Sequence, residues 1–390
     1  MKKKVLFVIP TLRMGGAEKS LVSLLKSLDS DKYEVDLFLF EKGGILQKDV
    51  PSWVHILEED RKTRAMILEL RTYFKDLLKS CHFGAALARL SITVLPKLTK
   101  KKVFSWNRIK KYIAPLEKEY DVAIGYLEGV TDFFVMDKVI AKKKIGWIHI
   151  DFTEHNVFPE EIEYYQKFDY LATISQICLD AFLKKIPQVK DKMCVIENIT
   201  LAEDVIQKSL EDVTDNWDEN RVHLVSVGRL EYQKGMDIGA QSAKVLKEKG
   251  IPFCWHVYGQ GSMKEEIEQY IQANHLEDCF ILEGLRSNPY PYMKKADILV
   301  QPSRWEGKSI VLDEAKILGK AIVVTDYPSV NDQIQDGITG KIVAIDPVLI
   351  ADGIECLIQN QQLIRVLEQN TKNEKSQSDT IVKKFEELIW

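Results

Sequence analysis

Residues 298–325 have the sequence ILVQPSRWEGKSIVLDEAKILGKAIVVT, in which two short apolar runs flank a longer amphipathic segment. Ile298–Gln301 and Ala321–Thr325 have the length and aliphatic content of buried strands. The segment between them, from Ser309 to Leu318, repeats apolar residues at helical spacing. A strand, a helix and a second strand in this order predict a parallel sheet covered by helices.

The same alternation continues on both sides of this stretch. It predicts further strands at Val5–Ile9, Val35–Phe40, Val122–Gly125, Lys144–Ile148, Tyr170–Ile174, His223–Val227, Phe253–Tyr258 and Cys279–Leu282. It predicts further helices at Lys19–Leu28, Asp237–Lys249, Met263–Asn274 and Ile381–Trp390. We therefore expect an α/β fold of two Rossmann-like, doubly wound domains that face each other across a cleft.

The boundary between the two domains is predicted near residue 199. Between Ile199 and Asn220 the apolar periodicity weakens and acidic residues accumulate, which is typical of a linker. We expect an N-terminal domain over residues 1–198 and a C-terminal domain over residues 199–374. A last helix within residues 375–390 is expected to pack back on the N-terminal domain.

Composition limits the classes of protein to which the chain can belong. It has 390 residues, a net charge of -4 and 45% apolar residues, which exclude a disordered chain and a polycation that binds nucleic acid. Its six cysteines include no C-x-x-C pair of the kind that binds zinc, and their apolar surroundings favour free thiols in a reducing cytoplasm. The first apolar run is too short for a signal peptide, and no window resembles a transmembrane helix.

The near-neutral total conceals a strongly basic stretch between residues 61 and 111. It holds 14 Lys and Arg against two acids, a net charge of +12, which leaves -16 for the rest of the chain. The basic residues are Arg61, Lys62, Arg64, Arg71, Lys75, Lys79, Arg89, Lys97, Lys100, Lys101, Lys102, Arg108, Lys110 and Lys111. Helices expected at Ala65–Leu78 and Ala85–Leu98 combine apolar residues with cations, as helices that lie on membranes do.

Ligands of doubly wound sheets bind beyond the carboxyl ends of the strands, so the loops at those ends are the candidate sites. After the strand that ends at Val227, Arg229 and Lys234 occupy one short loop. Two converging cations beside a helix start suit a diphosphate, whose charge one cation cannot neutralise alone. Taken by itself, the loop favours the alternative of two solvated surface cations.

The loop after Gln301 carries Glu306 and leads to a helix that carries Glu314. The backbone amides of Gly307–Ile310 can bind anionic oxygens, and Ser309 is the predicted N-cap. Carboxylates suit sugar hydroxyls, whereas amides suit phosphate. Glu314 is also consistent with an acid on the helix surface, and no metal-binding cluster such as D-x-D is evident in a suitable loop.

Two further candidates lie in the N-terminal half. Gly15 and Gly16 separate the first strand from its helix, where glycines allow a ligand to approach the backbone or simply form a turn. His149 follows an apolar strand in the sequence Gly146-Trp147-Ile148-His149-Ile150-Asp151, and it is either a functional or a core histidine.

Taken together, these motifs resemble the GT4 glycosyltransferases, retaining enzymes of the GT-B fold. Glu306 and Glu314 have the spacing of that family's E-x7-E signature, and the segment from Gly228 to Gly235 resembles its diphosphate loop. Tyr258-Gly259-Gln260-Gly261 and Gly15-Gly16-Ala17-Glu18 resemble its other glycine loops, in the family's order. The likeness is strongest from about residue 222 to residue 343. Many members have Phe-Gly where this chain has Lys308-Ser309, which leaves the identity of the sugar open.

The resemblance implies a role for each of these positions. Catalytic roles fall to His149, Arg229, Lys234 and Glu306, with the two cations on the donor diphosphate and His149 over the sugar. Donor-binding roles fall to Gly15, Gly16, Gly259, Gly284, Leu285, Arg286, Gly307, Lys308, Ser309, Ile310 and Glu314. Within this set, Glu314 is expected to bind the ribose and the backbone of Gly284–Arg286 the base.

The implied activity is the transfer of a hexose-type sugar, with retention of configuration, from a nucleotide diphosphate sugar in which UDP is the expected nucleotide. The implied acceptor is a glycan or a lipid-linked molecule in cell-surface polysaccharide or glycolipid synthesis. No cofactor or metal is expected, because protein cations replace a divalent ion at the diphosphate. The basic stretch predicts peripheral attachment to an anionic membrane, at the cytoplasmic face. A solvated basic face, or a groove for an anionic soluble acceptor, is the alternative. Other glycosyltransferases are further candidate partners, and nucleic acid is not.

Two other functions are compatible with this fold. A nucleotide-sugar epimerase needs the same diphosphate loop but neither an acceptor nor a membrane patch. A non-catalytic GT-B partner subunit has no physical need to keep both glutamates and both cations. A nicotinamide oxidoreductase is disfavoured, because neither domain begins with the glycine fingerprint G-x-G-x-x-G.

Overall fold

The chain folds into two compact units, as a computed structural model shows. The structure describes residues 1–58, 61–68, 105–153, 155–213, 215, 217–374 and 377–390. For residues 61 and 62 it describes the backbone alone. The first unit comprises Met1–Ile199 and Asp379–Trp390, and the second comprises Thr200–Ser378. None of the described helices is long and apolar enough to cross a membrane.

The first unit is built on a seven-stranded, wholly parallel sheet of order β3-β2-β1-β4-β5-β6-β7. Its strands are β1 (Lys3–Ile9), β2 (Tyr33–Leu39), β3 (His55–Ile56), β4 (Glu119–Gly125), β5 (Ile140–Ile148), β6 (Tyr170–Thr173) and β7 (Met193–Val195). Its described α-helices are α1 (Gly16–Ser27), α2 (Arg61–Ile67), α3 (Trp106–Ile109), α4 (Val130–Lys138), α5 (Pro159–Lys167) and α6 (Gln176–Lys185).

The second unit is built on a six-stranded parallel sheet of order β10-β9-β8-β11-β12-β13. Its strands are β8 (Val222–Val227), β9 (Phe253–Tyr258), β10 (Phe280–Gly284), β11 (Ile298–Gln301), β12 (Ala321–Thr325) and β13 (Lys341–Val343). The α-helices are α7 (Ala202–Lys208), α8 (Met236–Glu248), α9 (Lys264–Ala273), α10 (Tyr290–Lys295), α11 (Ile310–Ile317), α12 (Pro347–Gln359) and α13 (Gln361–Asn373), and α14 (Ser378–Ile389) returns the chain to the first unit.

Burial explains why the central strands are continuous apolar runs. Val5–Ile9 in β1 is fully buried because β2 and β4 flank it and helices cover both faces of a parallel sheet. The edge strands β3 and β13 are short, which limits pairing with other chains. In both sheets the strands run in the same direction, so the loops after them gather at one edge of each sheet.

The segment predicted as a linker between Ile199 and Asn220 contains a helix, so that prediction was wrong in part. The helix is α7, and Val205 on it is buried against the core of the second unit. The acids Glu203 and Asp204 lie in its first turn, where their negative charges interact favourably with the helix dipole. Two of the acids that resembled a linker therefore belong to the polar side of a short amphipathic helix.

The predicted membrane-facing helix Ala65–Leu78 differs from the structure where the two can be compared. The described helix is α2, which begins at Arg61, and Ala65 and Met66 on it belong to the buried core. Residues 69–104 lie outside the described residues. They include the rest of this predicted helix and all of the predicted helix Ala85–Leu98. The described part of this helix packs inside the protein.

The C-terminal helix α14 completes the core of the first unit. Phe385 is fully buried, and its ring centroid lies 5.9 Å from that of Phe7 and 6.1 Å from that of Trp147. Tyr33 donates a hydrogen bond to Glu386 at 3.0 Å and accepts one from Trp390 Nε1 at 3.0 Å. The end of the chain is therefore held by both aromatic packing and polar contacts.

Replacement of Phe385 by Ala is expected to destabilise the first unit by about 3–5 kcal/mol, because it leaves a cavity between two aromatic rings. Urea unfolding followed by tryptophan fluorescence measures the change. Lys383→Ala in the same helix is the control, because its side chain is 77% exposed and should change stability by less than about 0.5 kcal/mol. Equal stabilities of the two variants would show that α14 adds nothing to this core.

Candidate functional site

The loops after β8, β9 and β10 lie side by side at the carboxyl edge of the second sheet. The Gly228 amide donates a hydrogen bond to the Tyr258 carbonyl at 3.0 Å, and the Gly259 amide donates one to the Gly284 carbonyl at 2.9 Å. A Cβ atom on Gly259 would lie 1.7 Å from the Gly228 carbonyl oxygen, so only glycine fits there. This close packing leaves Arg229 as an exposed side chain.

Lys234 and Glu306, both predicted as site residues, form a largely buried ion pair. Lys234 Nζ lies 2.6 Å from Glu306 Oε1. The same oxygen accepts hydrogen bonds from Ser303 Oγ at 2.7 Å and from Gln301 Nε2 at 3.2 Å. Gln233 Nε2 lies 3.5 Å from the other carboxylate oxygen. The carboxylate and the ammonium group are thus held in fixed positions before any ligand binds.

Arg304 fixes the loop that carries Lys234, a role that sequence analysis missed. Its guanidinium donates two hydrogen bonds to the Asp237 carboxylate, at 2.8 and 2.6 Å, and a third to the Tyr232 carbonyl at 2.6 Å. It also lies 3.8 Å from the centre of the Tyr232 ring. The backbone amide of Arg304 donates to the Gln233 carbonyl at 2.8 Å. The loops after β8 and β11 therefore form one rigid assembly.

The start of α11 differs from the prediction in its hydrogen bonding. Ser309 occupies the N-cap position, but its hydroxyl makes no capping bond and donates instead to Gln301 Oε1 at 2.8 Å. Gln333 accepts from the Ser309 amide and donates to the Ser309 carbonyl, both at 2.8 Å. Within the predicted anion-binding set Gly307–Ile310, the Ser309 amide is therefore already committed. That part of the prediction was wrong, because a side chain distant in sequence reaches the helix start.

Glu314 is buried, which rules out the alternative of an acid on the helix surface. It is 0% exposed, and the Tyr290 hydroxyl donates a hydrogen bond to its Oε1 at 2.8 Å. Burial of a carboxylate is unfavourable unless polar partners compensate it. Tyr290, in α10, was not predicted as a site residue, and no signal in the sequence links it to Glu314.

The loop predicted to bind the base follows β10. Gly284 has φ 75°, a conformation that favours glycine, and Leu285 is exposed. Arg286 lies 3.5 Å from Asp215 and 3.9 Å from Glu283, measured between guanidinium nitrogen and carboxylate oxygen. These acidic neighbours hold the Arg286 side chain. Lys308, in the loop that carries Glu306, is partly buried.

Gly15 and Gly16 mark the start of α1 in the first unit. Gly15 is the N-cap residue in an extended conformation, and Gly16 is the first residue of the helix. A Cβ atom on Gly15 would lie 2.1 Å from Glu18 Oε2, because the Glu18 side chain folds back over this turn. This contact concerns Gly15 alone, and it involves the flexible end of the Glu18 side chain.

His149 directly follows β5 and lies among aromatic side chains. Its ring centroid is 4.9 Å from that of Tyr126 and 6.0 Å from that of Trp147. Burial lowers the pKa of His149 to about 3, and the Asn198 side chain partly opposes this effect. Neither ring nitrogen makes a hydrogen bond of normal geometry to any of the described residues. The imidazole is therefore neutral at physiological pH, and both of its ring nitrogens are shielded from solvent.

Two carboxyl groups in this part of the first unit, Glu128 and Asp132, were not predicted. Glu128 Oε2 accepts a hydrogen bond from the His149 backbone amide at 2.9 Å, and burial raises the pKa of Glu128. Asp132, in the first turn of α4, is 0% exposed, and burial together with the Glu128 charge raises the pKa of Asp132 well above its usual range. The end of β5 therefore carries a neutral histidine, and burial opposes ionisation of the two carboxyl groups in this region.

Only a small part of the basic stretch falls on described side chains, namely Arg64, Arg108, Lys110 and Lys111. Lys110 Nζ lies 3.1 Å from Asp137 Oδ2 and 3.0 Å from the Tyr164 hydroxyl, and this hydrogen bond raises the pKa of Lys110. Lys110 therefore serves an internal polar cluster. The predicted membrane or acceptor role of the remaining basic residues lies outside the described side chains.

Comparison with known families places the second unit. The model of the family "Glycosyl transferases group 1" matches residues 208–374, which include the loops after β8, β9, β10 and β11. Arg229, Lys234, Glu306 and Glu314 all lie within this match.

Individual relatives are about a quarter identical to the chain over the residues that align. The alpha-D-kanosaminyltransferase of Streptomyces kanamyceticus is 28% identical over 155 residues, which cover 39% of this chain and 40% of that protein. The N-acetylgalactosamine-N,N'-diacetylbacillosaminyl-diphospho-undecaprenol 4-alpha-N-acetylgalactosaminyltransferase of Campylobacter jejuni is 26% identical over 221 residues, 56% of this chain and 58% of that protein. The chain thus matches well under two thirds of the length of these two relatives.

A solved structure matches over the whole chain. The crystal structure of Staphylococcus aureus TarM in complex with fondaparinux, alpha-GlcNAc-glycerol and UDP superposes with a TM-score of 0.69 at 15% identity, and it covers 99% of each chain. At this identity the likeness establishes the fold. The expected fold class, two parallel α/β sheets of the GT-B type, is confirmed.

The low pKa of His149 has a consequence for acid stability. A histidine titrates near 6.5 when unfolded and His149 titrates near 3 when folded, so the unfolded state takes up the proton first as pH falls. The stability that neutral His149 allows is present above pH 6.5 and is lost as pH falls toward 3. Between pH 7 and pH 5, the free energy of unfolding of the first unit should therefore fall by up to about 2 kcal/mol more in the wild type than in His149→Gln.

Urea unfolding of both proteins at pH 7, 6 and 5 measures this difference. His275→Asn, which removes an exposed histidine of the second unit and keeps a residue that tolerates its φ of 54°, should follow the wild type. Parallel pH profiles for the wild type and His149→Gln would contradict a buried neutral imidazole.

Proposed function

We propose that the chain, which belongs to the glycosyl transferases group 1 family through residues 208–374, transfers a sugar from a nucleotide diphosphate donor to a hydroxyl acceptor with retention of anomeric configuration. The observation that carries this proposal is the buried pair of Lys234 and Glu306 at the carboxyl edge of the second sheet. A fixed cation beside a fixed carboxylate suits a ligand with a phosphate next to hydroxyl groups.

The diphosphate is the natural ligand of Arg229 and Lys234. Arg229 is exposed and Lys234 is held by Glu306, so the donor meets one adaptable cation and one preorganised cation. As the bond between the anomeric carbon and the diphosphate oxygen breaks, negative charge develops on the leaving group. Preorganised cations stabilise that charge without reorganising at the moment of reaction, an effect commonly worth a few kcal/mol for each donor.

The acceptor hydroxyl then bonds to the anomeric carbon on the face that the diphosphate leaves. Its proton passes to a departing phosphate oxygen, so the products are the glycoside and the nucleoside diphosphate, and no atom is left unassigned. We assign Glu306 to the sugar hydroxyls, through the carboxylate oxygen that Gln233 approaches at 3.5 Å. Glu314, with Tyr290 on its Oε1, is assigned to the ribose hydroxyls, and the backbone of Gly284–Arg286 to the base.

His149 is assigned to a hydroxyl of the transferred sugar, as a neutral hydrogen-bonding group. A pKa near 3 means that it brings no positive charge, so it does not compete with the cations for the leaving group. Glu128, which binds the His149 backbone amide at 2.9 Å, is a positioning residue.

The donor nucleotide and the acceptor are proposed from chemistry and from the names of the relatives. UDP accompanies TarM in its crystal structure, and the Campylobacter relative is named for a diphospho-undecaprenol acceptor. We assign a UDP-hexose donor and a glycan or lipid-linked acceptor in surface polysaccharide synthesis. Residues 61–111, with a net charge of +12, would bring the enzyme to the cytoplasmic face of a membrane that presents such an acceptor.

Lys234→Ala should lower kcat at least tenfold, because the leaving diphosphate loses a preorganised cation and Glu306 loses its ionic partner.

Glu314→Gln should raise KM for the donor and lower kcat less than Lys234→Ala does, because the ribose is remote from the breaking bond. Screening a panel of nucleotide sugars against acceptors identifies the substrates, and steady-state kinetics then give both constants. Lys264→Ala is the control, because that side chain is 53% exposed in a surface ion pair and should leave both constants unchanged.

The stereochemistry of the product tests the reaction class separately. An NMR spectrum of the glycoside should show the anomeric configuration of the donor. An inverted product, or unchanged kinetics in Lys234→Ala, would count decisively against the proposed reaction.

Attachment to membranes is tested by co-sedimentation with vesicles. The chain should sediment with vesicles of phosphatidylglycerol and phosphatidylcholine at low salt, and binding should weaken as salt is added. Replacing Lys100, Lys101 and Lys102 by Gln should weaken binding by up to about 3 kcal/mol, since each basic residue near an anionic surface contributes about 1 kcal/mol. The control replaces Lys184, Lys185 and Lys190, three exposed lysines outside the basic stretch, by Gln. It removes the same charge and should leave vesicle binding unchanged. Equal binding to neutral vesicles would contradict an electrostatic contact.

A further inference from the structure

A cluster of histidine and cysteine side chains lies in the second unit, away from the loops that carry Arg229 and Glu306. In the part of the chain that the structure describes, His223, Cys254 and His256 form a group whose potential metal-ligand atoms all lie within 4.8 Å of one another. All three residues are at least nine-tenths buried.

The pairing of β8 with β9 places the three side chains on one face of the sheet. His223 is the register partner of Cys254, and His256 follows Cys254 by two residues on the same strand. On β10, Ile281 pairs with His256, so Glu283 comes to the same face. His223 and Cys254 occupy the amino ends of their strands, whereas Arg229 follows the carboxyl end of β8. The cluster is therefore a separate place in the unit.

Hydrogen bonds on the outer side of each imidazole fix its tautomer. His223 Nε2 lies 2.8 Å from the Asp218 carbonyl oxygen, which can only accept, so Nε2 carries the proton and donates. His256 Nδ1 lies 2.8 Å from Glu283 Oε1 and donates to that carboxylate. These contacts leave His223 Nδ1 and His256 Nε2 as the inner nitrogens, 3.1 Å apart.

This arrangement has the features of a metal centre. Two nitrogens bound to one tetrahedral ion at about 2.0–2.1 Å are separated by about 3.3 Å, close to the spacing already present. Metal-binding histidines nearly always donate their outer N–H to a carboxylate or a backbone carbonyl, and here there is one of each. The Trp217 ring stacks on both imidazoles, with centroids 4.6 and 4.2 Å away, and shields the cluster.

We propose that His223 Nδ1, His256 Nε2 and Cys254 Sγ bind a divalent transition-metal ion of the zinc class, with water in the fourth position. Nitrogen and thiolate ligands in tetrahedral number select zinc-like ions and disfavour magnesium and calcium. Binding displaces the proton of the Cys254 thiol, which is released to solvent. The ion would join β8 to β9 and, through Glu283, adjoin the loop of Gly284–Arg286.

Titration with Co²⁺ tests the site, because this ion substitutes for zinc and reports its ligands by absorption. The full chain, freed of metal by a chelator, is used with Cys356→Ser, which removes an exposed thiol. One equivalent of Co²⁺ should give a thiolate-to-cobalt charge-transfer band and the intense visible bands of four-coordination, and Zn²⁺ should abolish both. Cys254→Ser should lose the charge-transfer band. His223→Gln and His256→Gln should each weaken binding at least tenfold.

Cys178→Ser is the matched control, because it removes a buried thiol of the first unit, outside the cluster, and should leave the spectra and the affinity unchanged. Circular dichroism establishes that each variant is folded. If Cys254→Ser does not fold, protection of Cys254 from alkylation by one equivalent of Zn²⁺ in the unsubstituted chain gives the same answer. The absence of saturable binding, weak six-coordinate bands, or binding that the histidine substitutions leave intact would overturn the proposal. The kinetics of sugar transfer are not the readout, so either proposal can fail alone.

Discussion

One oxygen atom, Oε1 of Glu306, accepts hydrogen bonds from three side chains at once: Lys234 at 2.6 Å, Ser303 at 2.7 Å and Gln301 at 3.2 Å. These donors come from the loop after β8, from the last residue of β11 and from the loop that follows it, so one carboxylate joins two neighbouring loops of the second sheet. A buried charge is tolerated only when partners surround it, and removing one partner of such a pair commonly costs about 3–5 kcal/mol. Folding of this edge is therefore inseparable from assembly of the charged pair.

The network continues outward from that oxygen through uncharged amides. Gln301 bridges Glu306 to the Ser309 hydroxyl, and Gln333 fixes the backbone of Ser309 on both sides. Arg304, through Asp237, ties the same loops together from the solvent side. An anionic ligand would thus meet a surface whose polar groups are already oriented, which is the condition for electrostatic catalysis without reorganisation.

Sequence patterns predict the parts of this structure that depend on local periodicity. Val5–Ile9 and Ala321–Thr325 are recognisable as buried strands because burial on both faces demands continuous apolar residues. Lys234 and Glu306 are identifiable because each follows such a strand. Gln333 and Tyr290 are not, since each meets its partner only after the chain has folded, and a glutamine or a tyrosine alone has no distinctive spacing. The helix Ala202–Lys208 is short and acidic, so its one buried valine gives too little periodicity to separate it from a linker.

The same reasoning explains why the cluster at His223, Cys254 and His256 has no signature in the sequence. Its ligands lie on two strands, and its outer partners are a backbone carbonyl and a carboxylate on a third strand, so sheet register assembles them. No short motif can encode that arrangement, whereas the outer hydrogen bonds reveal it, because each aims an imidazole lone pair inward. Two histidines in a sheet could pair with each other without further partners. Here a carbonyl and a carboxylate determine both tautomers, and a metal ion would use both lone pairs that result.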